Sequence, residues 1–390
     1  MWSNVRTSVK EAPPVFKELR RAYGFDEVAI VPGDVTLNPE QVDVSFRIGQ
    51  HEFRIPVLAA AMDAVVDPRF ATLLSGLGGL GVLNLEGVHT RYPNPAEVLN
   101  EIARTPQQAI IQMLQKVYSA PIREDLIGQV VHSIKSNGGV AAVSITPTNT
   151  KRFAPIAVEA GADIIVVQST VTTARHLSKS PKGLDLSDLC HSIPVPVVVG
   201  NCVTYTAALE IMETGVAAIL VGVGPGAACT TREVLGLGVP QVTGTLDCAA
   251  ARETYLRRTG RYVPLITDGG IRNGGDLCKA IASGADAVML GSIFAQAAEA
   301  PGQGYHWGMA SPHAALPRGT RVKVGTKGTL QQILLGPSSV TDGTHNLIGA
   351  LTTCMGVCGA GTVKEMHQVP MVIAPSIKTE GKQLQLSGQV

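Results

Sequence analysis

Val195-Pro196-Val197-Val198-Val199-Gly200 and Ala217-Ala218-Ile219-Leu220-Val221-Gly222-Val223 flank a segment of helical periodicity, Thr204 to Thr214. The flanking runs are short, rich in β-branched residues and bounded by Gly and Pro, so they read as buried strands. Six more runs share the pattern: Pro56-Ala60, Gly79-Asn84, Val140-Ile145, Asp163-Gln168, Val263-Thr267 and Ala287-Gly291. Gly275 to Ser283 repeats the helical period. Eight βα units in one chain predict an α/β fold, a single closed (β/α)8 TIM barrel. The alternative is an open doubly wound sheet. Against it, no strand leads into a G-x-G-x-x-G helix start with an acidic residue further on.

Composition agrees with such a core. Of 390 residues, 45% are hydrophobic and 16% charged; aromatics are 4% and glycines number 42. The interior must therefore rest on Val, Ile, Leu and Ala, as buried parallel strands do. With a formal net charge of +1, nothing argues for a nucleic-acid or membrane surface, and neither is expected as a partner. Met1 to Pro13 lacks the apolar core of a signal peptide, and no apolar run approaches the roughly 18 residues of a membrane span. The seven cysteines are scattered, odd in number and without paired metal spacing, which points to a reduced, cytoplasmic compartment.

The expected organisation is one catalytic domain over residues 1–390. Residues 86–138 form a longer connection of helical character, too short for a second domain with its own sheet. Residues 300–328 are rich in Gly, Pro and His and read as a shortened active-site loop. Thr379 to Val390 is polar, expected to be mobile or docked on a neighbour.

Catalytic groups of a barrel belong at the C-terminal ends of its strands. Cys229 follows Ala217-Val223 in the turn Gly224-Pro225-Gly226-Ala227-Ala228-Cys229-Thr230-Thr231-Arg232. Gly224 and Gly226 allow positive φ and close approach to a ligand. Partial exposure beside a cation is the setting in which a thiol becomes a nucleophile. The competing reading is a small buried hydrophobe, which suits Cys202 and the pair Cys354 and Cys358 better. Thr267-Asp268-Gly269-Gly270-Ile271-Arg272 and Leu290-Gly291-Ser292 end the last two strands, where barrels hold phosphates on backbone N–H groups. Asp268 is placed to accept from sugar hydroxyls; an ordinary Asp-Gly-Gly turn is the alternative. Gly308 and Met309, beside His306 and Trp307, suit contact with a flat base. Met62-Asp63 and Asn201 point to the same end of the barrel. No His/Glu cluster has metal-ligand spacing, and no Walker-type loop occurs.

These segments resemble the inosine monophosphate (IMP) dehydrogenases and the related guanosine monophosphate (GMP) reductases. Gly24-Phe25-Asp26-Glu27-Val28, Ala59 to Asp63, Gly224 to Arg232, Gly238-Val239-Pro240-Gln241, Asp268 to Arg272, Met289 to Ser292, Gly308-Met309, Lys327-Gly328 and Cys354-Met355-Gly356 carry the likeness over most of the chain. The resemblance implies a homotetramer or octamer acting on a purine nucleotide with NAD⁺ and a potassium ion. It implies that the Cys229 thiolate adds to C2 of the purine, hydride leaves to NAD⁺, and water hydrolyses the thioimidate, with Thr231 contacting that water. Asp268 would bind ribose, and Gly269, Gly270, Gly291, Ser292 and His306 would lie at the phosphate. Met62, Asn201, Gly308 and Met309 would hold the base. Gln168, Ser169, Gly222 and Gly224 would face the cofactor, and carbonyls of Gly224, Gly226 and Cys229 would take potassium.

The chain departs from that pattern in several places. The paired regulatory (CBS, or Bateman) domain that many dehydrogenases insert after the second strand is absent, and the finger and flap segments are short. No Arg-Tyr pair follows Gly308-Met309, so Arg318 or Arg321 is the candidate to activate water. Gln168 stands for an aspartate, Ala227 for a serine and His306 for a tyrosine. An IMP dehydrogenase making XMP for guanine nucleotide biosynthesis is the favoured expectation. The alternatives are a GMP reductase using NADPH, or a nucleotide-binding paralogue with weak catalysis. The short flap suits the reductase, but Arg318 is opposite in charge to the glutamate that ammonia release requires. Gly238-Val239-Pro240-Gln241 looks closer to the dehydrogenases.

Overall fold

The computed structural model of the chain describes residues 19–175, 183–308 and 321–375. Ahead of the barrel lie β1 (Val28–Ile30) and the hairpin β2 (Phe46–Ile48) and β3 (His51–Phe53). The barrel strands are β4 (Val57–Ala59), β5 (Leu80–Asn84), β6 (Ala142–Ile145), β7 (Ile164–Gln168), β8 (Val197–Cys202), β9 (Ala218–Val221), β10 (Leu265–Asp268) and β11 (Ala287–Leu290). Each pairs in parallel with its successor, and β11 returns to β4 with Leu290 opposite Ala59, closing the barrel. All eight sequence-predicted strands are present, with ends shifted by at most two residues. The remaining strands are β12 (Tyr305–Trp307), β13 (Arg321–Lys323) and β14 (Met371–Ile373).

Why the strands read as continuous apolar runs is visible in the packing. Alternate side chains enter two different cores. Leu58, Leu80, Val82, Val166, Val198, Leu220, Ile266 and Met289 point inward, floored by Phe46, Ile48 and Phe53 of the β2–β3 hairpin. Val57, Leu83, Val143, Ile165, Val199, Ile219 and Val288 point outward beneath the helices. Neither face meets water, so no polar alternation survives.

The helices are α1 (Pro68–Leu77), α2 (Pro95–Arg104), α3 (Ile110–Ser119), α4 (Glu124–Ser136), α5 (Pro147–Glu159), α6 (Leu186–Ser192), α7 (Tyr205–Glu213), α8 (Thr231–Leu235), α9 (Gln241–Thr259), α10 (Gly274–Ala282), α11 (Leu330–Leu335), α12 (Leu347–Val357) and α13 (Val363–Met366). Local chemistry sets their ends. Asp67 accepts from Phe70 N–H at 2.6 Å and Pro68 opens α1, while Gly78 ends it at φ +98°. Asn273 starts α10 by accepting from Asp276 N–H at 3.0 Å.

Between β5 and β6 the described residues hold α2, α3 and α4 and no further sheet. The helices α2 and α3 do not join the main core. Leu99, Ile102, Ile110, Leu114, Val117 and Tyr118 build a satellite core around Trp307 and Ala64. Residues 300–328 are not wholly irregular, as their composition suggested. Tyr305 pairs with Lys323 and Trp307 with Arg321, so β12 and β13 form an antiparallel pair. Three-residue strands are too short to display a period, and what holds these is the burial of Trp307 in the satellite core.

Candidate active site

The C-terminal ends of β7, β8 and β10 converge on one carboxylate. Asp268 Oδ2 accepts from Asn201 Nδ2 at 2.8 Å and from Gln168 Nε2 at 3.0 Å. Gln168 Nε2 also donates to Asn201 Oδ1 at 3.1 Å, completing a triangle. Part of Asp268 reaches the barrel mouth, yet protein surrounds its carboxyl closely. Burial pushes its pKa up to about 6, and hydrogen bonds from Asn201 and Gln168 pull in the opposite direction.

A residue with no role in the sequence reading fixes this arrangement. Gln241, the first residue of α9, is buried and donates Nε2 to Val221 O at 2.8 Å and to Asp268 O at 2.9 Å. It ties the ends of β9 and β10 together. Gly222 is required beside it, because a Cβ there would strike Asp268 O. Gly238-Val239-Pro240-Gln241 is a motif of the resemblance, but a glutamine inside a helix-start pattern carries no signal of a strand-end clamp.

Cys229 is half-buried on the turn after β9. Its S–H donates to Thr231 Oγ1 at 3.1 Å, and the Thr231 N–H donates toward Sγ at 3.5 Å. The turn folds back on itself through Cys229 N–H to Gly226 O at 3.0 Å. Gly224 has φ +78°, and Arg232 packs against it, with its exposed guanidinium directed to Val239 O. Next in the ring, Gly269 and Gly270 have φ of +89° and +79° and lie against Pro225, so the cysteine turn and the Asp268 loop touch. Met62 sits over Gly291, where an added Cβ would come within 3.0 Å of its sulfur. Ser292 Oγ meets His306 Nε2 at 3.1 Å. Burial drives the His306 pKa down to about 4, so this imidazole is neutral at pH 7. The expected residues from β4, β7, β8, β9, β10 and β11 thus share one end of the barrel.

Some expected roles meet a different geometry. The Gln168 amide turns inward to Asp268 and Asn201, and Ser169 Oγ bonds Val171 O and Thr172 within its own loop. Arg321 is buried; Nη1 donates to Ile102 O at 2.5 Å and Ala103 O at 3.1 Å, and the guanidinium lies 4.5 Å from the centre of the Tyr305 ring. These contacts anchor β13 to the end of α2. Met309 and Arg318 lie outside the described residues, as does the polar stretch Thr379 to Val390. Cys202 is buried in the main core, and Cys354 and Cys358 belong to the end of α12, as their packing reading expected. Among the described residues no group of three or more His, Cys, Asp or Glu side chains could hold a metal ion, and no helix is long and apolar enough to cross a membrane.

Comparison with known proteins agrees with the geometry. The IMP dehydrogenase / GMP reductase domain matches residues 22–381. An uncharacterized oxidoreductase of Mycolicibacterium smegmatis is 40% identical over 363 residues, spanning 91% of this chain and 97% of the relative. An inosine-5'-monophosphate dehydrogenase of Cryptosporidium parvum is 28% identical over 393 residues, spanning 90% and 91%. Among solved structures, an IMP dehydrogenase/GMP reductase-like protein of Corynebacterium glutamicum superposes with a TM-score of 0.87 at 36% identity, covering 92% of this chain and 96% of that one. With a closed eight-stranded barrel, a cysteine turn after its sixth strand and an Asp-Gly-Gly loop after its seventh, the chain belongs to the IMP dehydrogenase / GMP reductase family.

Proposed function

We propose that the protein oxidises IMP to XMP with NAD⁺ through a covalent adduct on Cys229. The observation that carries this reading is the Cys229–Thr231 pair, 3.1 Å apart, facing the same barrel mouth as Asp268. A nucleotide lying across that mouth would set its phosphate on the backbone of Gly269, Gly270, Gly291 and Ser292. Its ribose hydroxyls would meet Asp268. Both amide donors occupy Oδ2, so Oδ1 is the oxygen turned to the sugar. The Cys229 thiol gives up its proton to solvent, the thiolate adds at C2, and the hydrogen on that carbon departs as hydride. A nicotinamide cofactor supplies the hydride acceptor. Water then attacks the thioimidate, the C2–S bond breaks, and the thiol is regenerated. Thr231 would orient that water.

The cofactor side fits less fully. Gln168, Ser169 and Gly222 are engaged with neighbouring protein groups, and Gly224 packs against Arg232. The carbonyls of Gly224, Gly226 and Cys229 belong to one turn and would be the oxygen donors to potassium, although the Gly226 carbonyl already accepts from Cys229 N–H at 3.0 Å. Of the two arginines considered for water activation, Arg321 is committed to α2, so the role falls to Arg318.

Incubation with IMP and NAD⁺, monitored for NADH, tests the reading directly. NADPH oxidation with GMP in its place would make the enzyme a reductase. Nucleotide binding without either turnover would make it a binding paralogue, the outcome that the inward-turned Gln168 favours.

A further inference from the structure

Asp63 directly follows Met62, and Trp307 directly precedes Gly308, the two residues that the family resemblance expects to hold the purine base. The two flanking residues are joined through one side chain. Trp307 Nε1–H donates to Tyr118 Oη at 2.7 Å, and Tyr118 O–H donates to Asp63 Oδ2 at 2.7 Å. The same oxygen accepts from Val88 N–H at 2.8 Å. Asp63, Tyr118 and Trp307 are 1%, 6% and 0% exposed, so the chain is sealed from water. Buried hydrogen bonds in such a setting hold their partners firmly, because losing one strands the others without solvent. Tyr118 belongs to α3, outside the barrel, in the connection between β5 and β6.

We infer that Tyr118 is a positioning residue for the nucleotide site, its hydroxyl locking the Met62 turn of β4 to the Trp307–Gly308 end of β12. The inference rests on the nucleotide reading for its ligand, and on the hydrogen-bonded chain alone for its mechanics. Burial raises the Asp63 pKa; against it act first the charge of His89 and then the hydrogen bonds from Tyr118 and Val88, so the brace is one of several contacts that favour this carboxylate's accepting form. Helix α3 thereby has a purpose at the barrel mouth. It fixes the separation between the two faces that would sandwich a base, and it does so from a segment remote from both in sequence.

Tyr118→Phe keeps the ring in the satellite core and removes only the bridging hydroxyl. Two measurements separate positioning from bulk stability. Amide hydrogen exchange should quicken in residues 60–66 and 304–308 together, with the other barrel strands unchanged. The dissociation constant for IMP should rise about ten-fold, because the variant breaks both hydrogen bonds of the hydroxyl, the one from Trp307 and the one to Asp63. Trp307→Phe should reproduce both effects, and the double variant should be no weaker than either single one, because both break the same chain. Unchanged exchange in either segment, or unchanged IMP affinity with a lowered melting temperature, would overturn the inference. Should the wild-type protein bind no IMP, the nucleotide reading fails. The brace then stands or falls on the paired change in exchange alone.

Discussion

At the scale of single residues, the proposed nucleophile Cys229 and the carboxylate Asp268 have distinct expected signatures. Cys229→Ala should abolish turnover without impairing IMP binding, checked by NADH formation and by calorimetry. Thr231→Val removes the hydroxyl beside the sulfur and should lower kcat on the order of 10²-fold through the hydrolytic half of the reaction. The check is rapid quenching: the covalent adduct should build up, and a variant that forms no adduct would place Thr231 in the first half instead. Asp268 gives a pH signature. Its folded pKa of about 6 lies above the ordinary value of 3.8, so the folded state takes up its proton first as pH falls. This carboxyl therefore favours the folded state increasingly between about pH 6 and pH 4, and opposes it once ionised. Ligand binding should run the other way if Asp268 meets the ribose as proposed, because the ionised carboxylate is the better acceptor for its hydroxyls. IMP affinity should weaken as pH drops through 6, and Asp268→Asn should flatten that dependence. Cys229 and Asp268 were legible because each lies on a glycine-rich strand end. Gln241 was not, because its two acceptors, Val221 O and Asp268 O, come from strands distant in sequence.

At the scale of elements, the barrel strands were legible and the small pairs around them were not. Eight runs of buried β-branched residues carry their own signal, whichever face they turn to. The pairs β2–β3, β12–β13 and β1–β14 have three residues each, and their stability comes from what they cover. Phe46, Ile48 and Phe53 floor the barrel, an assignment that needs the barrel to exist first. Helix–strand packing is tight enough to test. A Cβ on Gly81 of β5 would lie 2.6 Å from Ala71 Cα and 2.8 Å from Ala71 Cβ on α1. Gly81→Ala should therefore push α1 outward and cost about 1–3 kcal/mol, measurable by urea unfolding. A neutral result would mean that α1 slides freely on the strand.

At the scale of the whole molecule, the two ends of the barrel have different duties. Asp286, just before β11, is buried and accepts from Arg252 Nη1 at 2.9 Å and from Leu265 N–H at 2.8 Å, with Tyr262 as a third donor. The Arg252 and Asp286 side chains are 3% and 7% exposed. Removing one member of a buried ion pair costs about 3–5 kcal/mol. Arg252→Ala should therefore lower the urea midpoint sharply, yet leave KM for IMP unchanged in the protein that remains folded. A shifted KM would show that the two ends communicate. Finally, β1 and β14 pair with Val28 opposite Ile373, so the two ends of the described chain meet on the outside of a barrel that is itself a ring. The order of strands around that ring has no natural starting point. Joining the ends by a linker across this pair and cutting at Gly138-Gly139, in the turn after α4, should yield a circular permutant that folds to the same barrel.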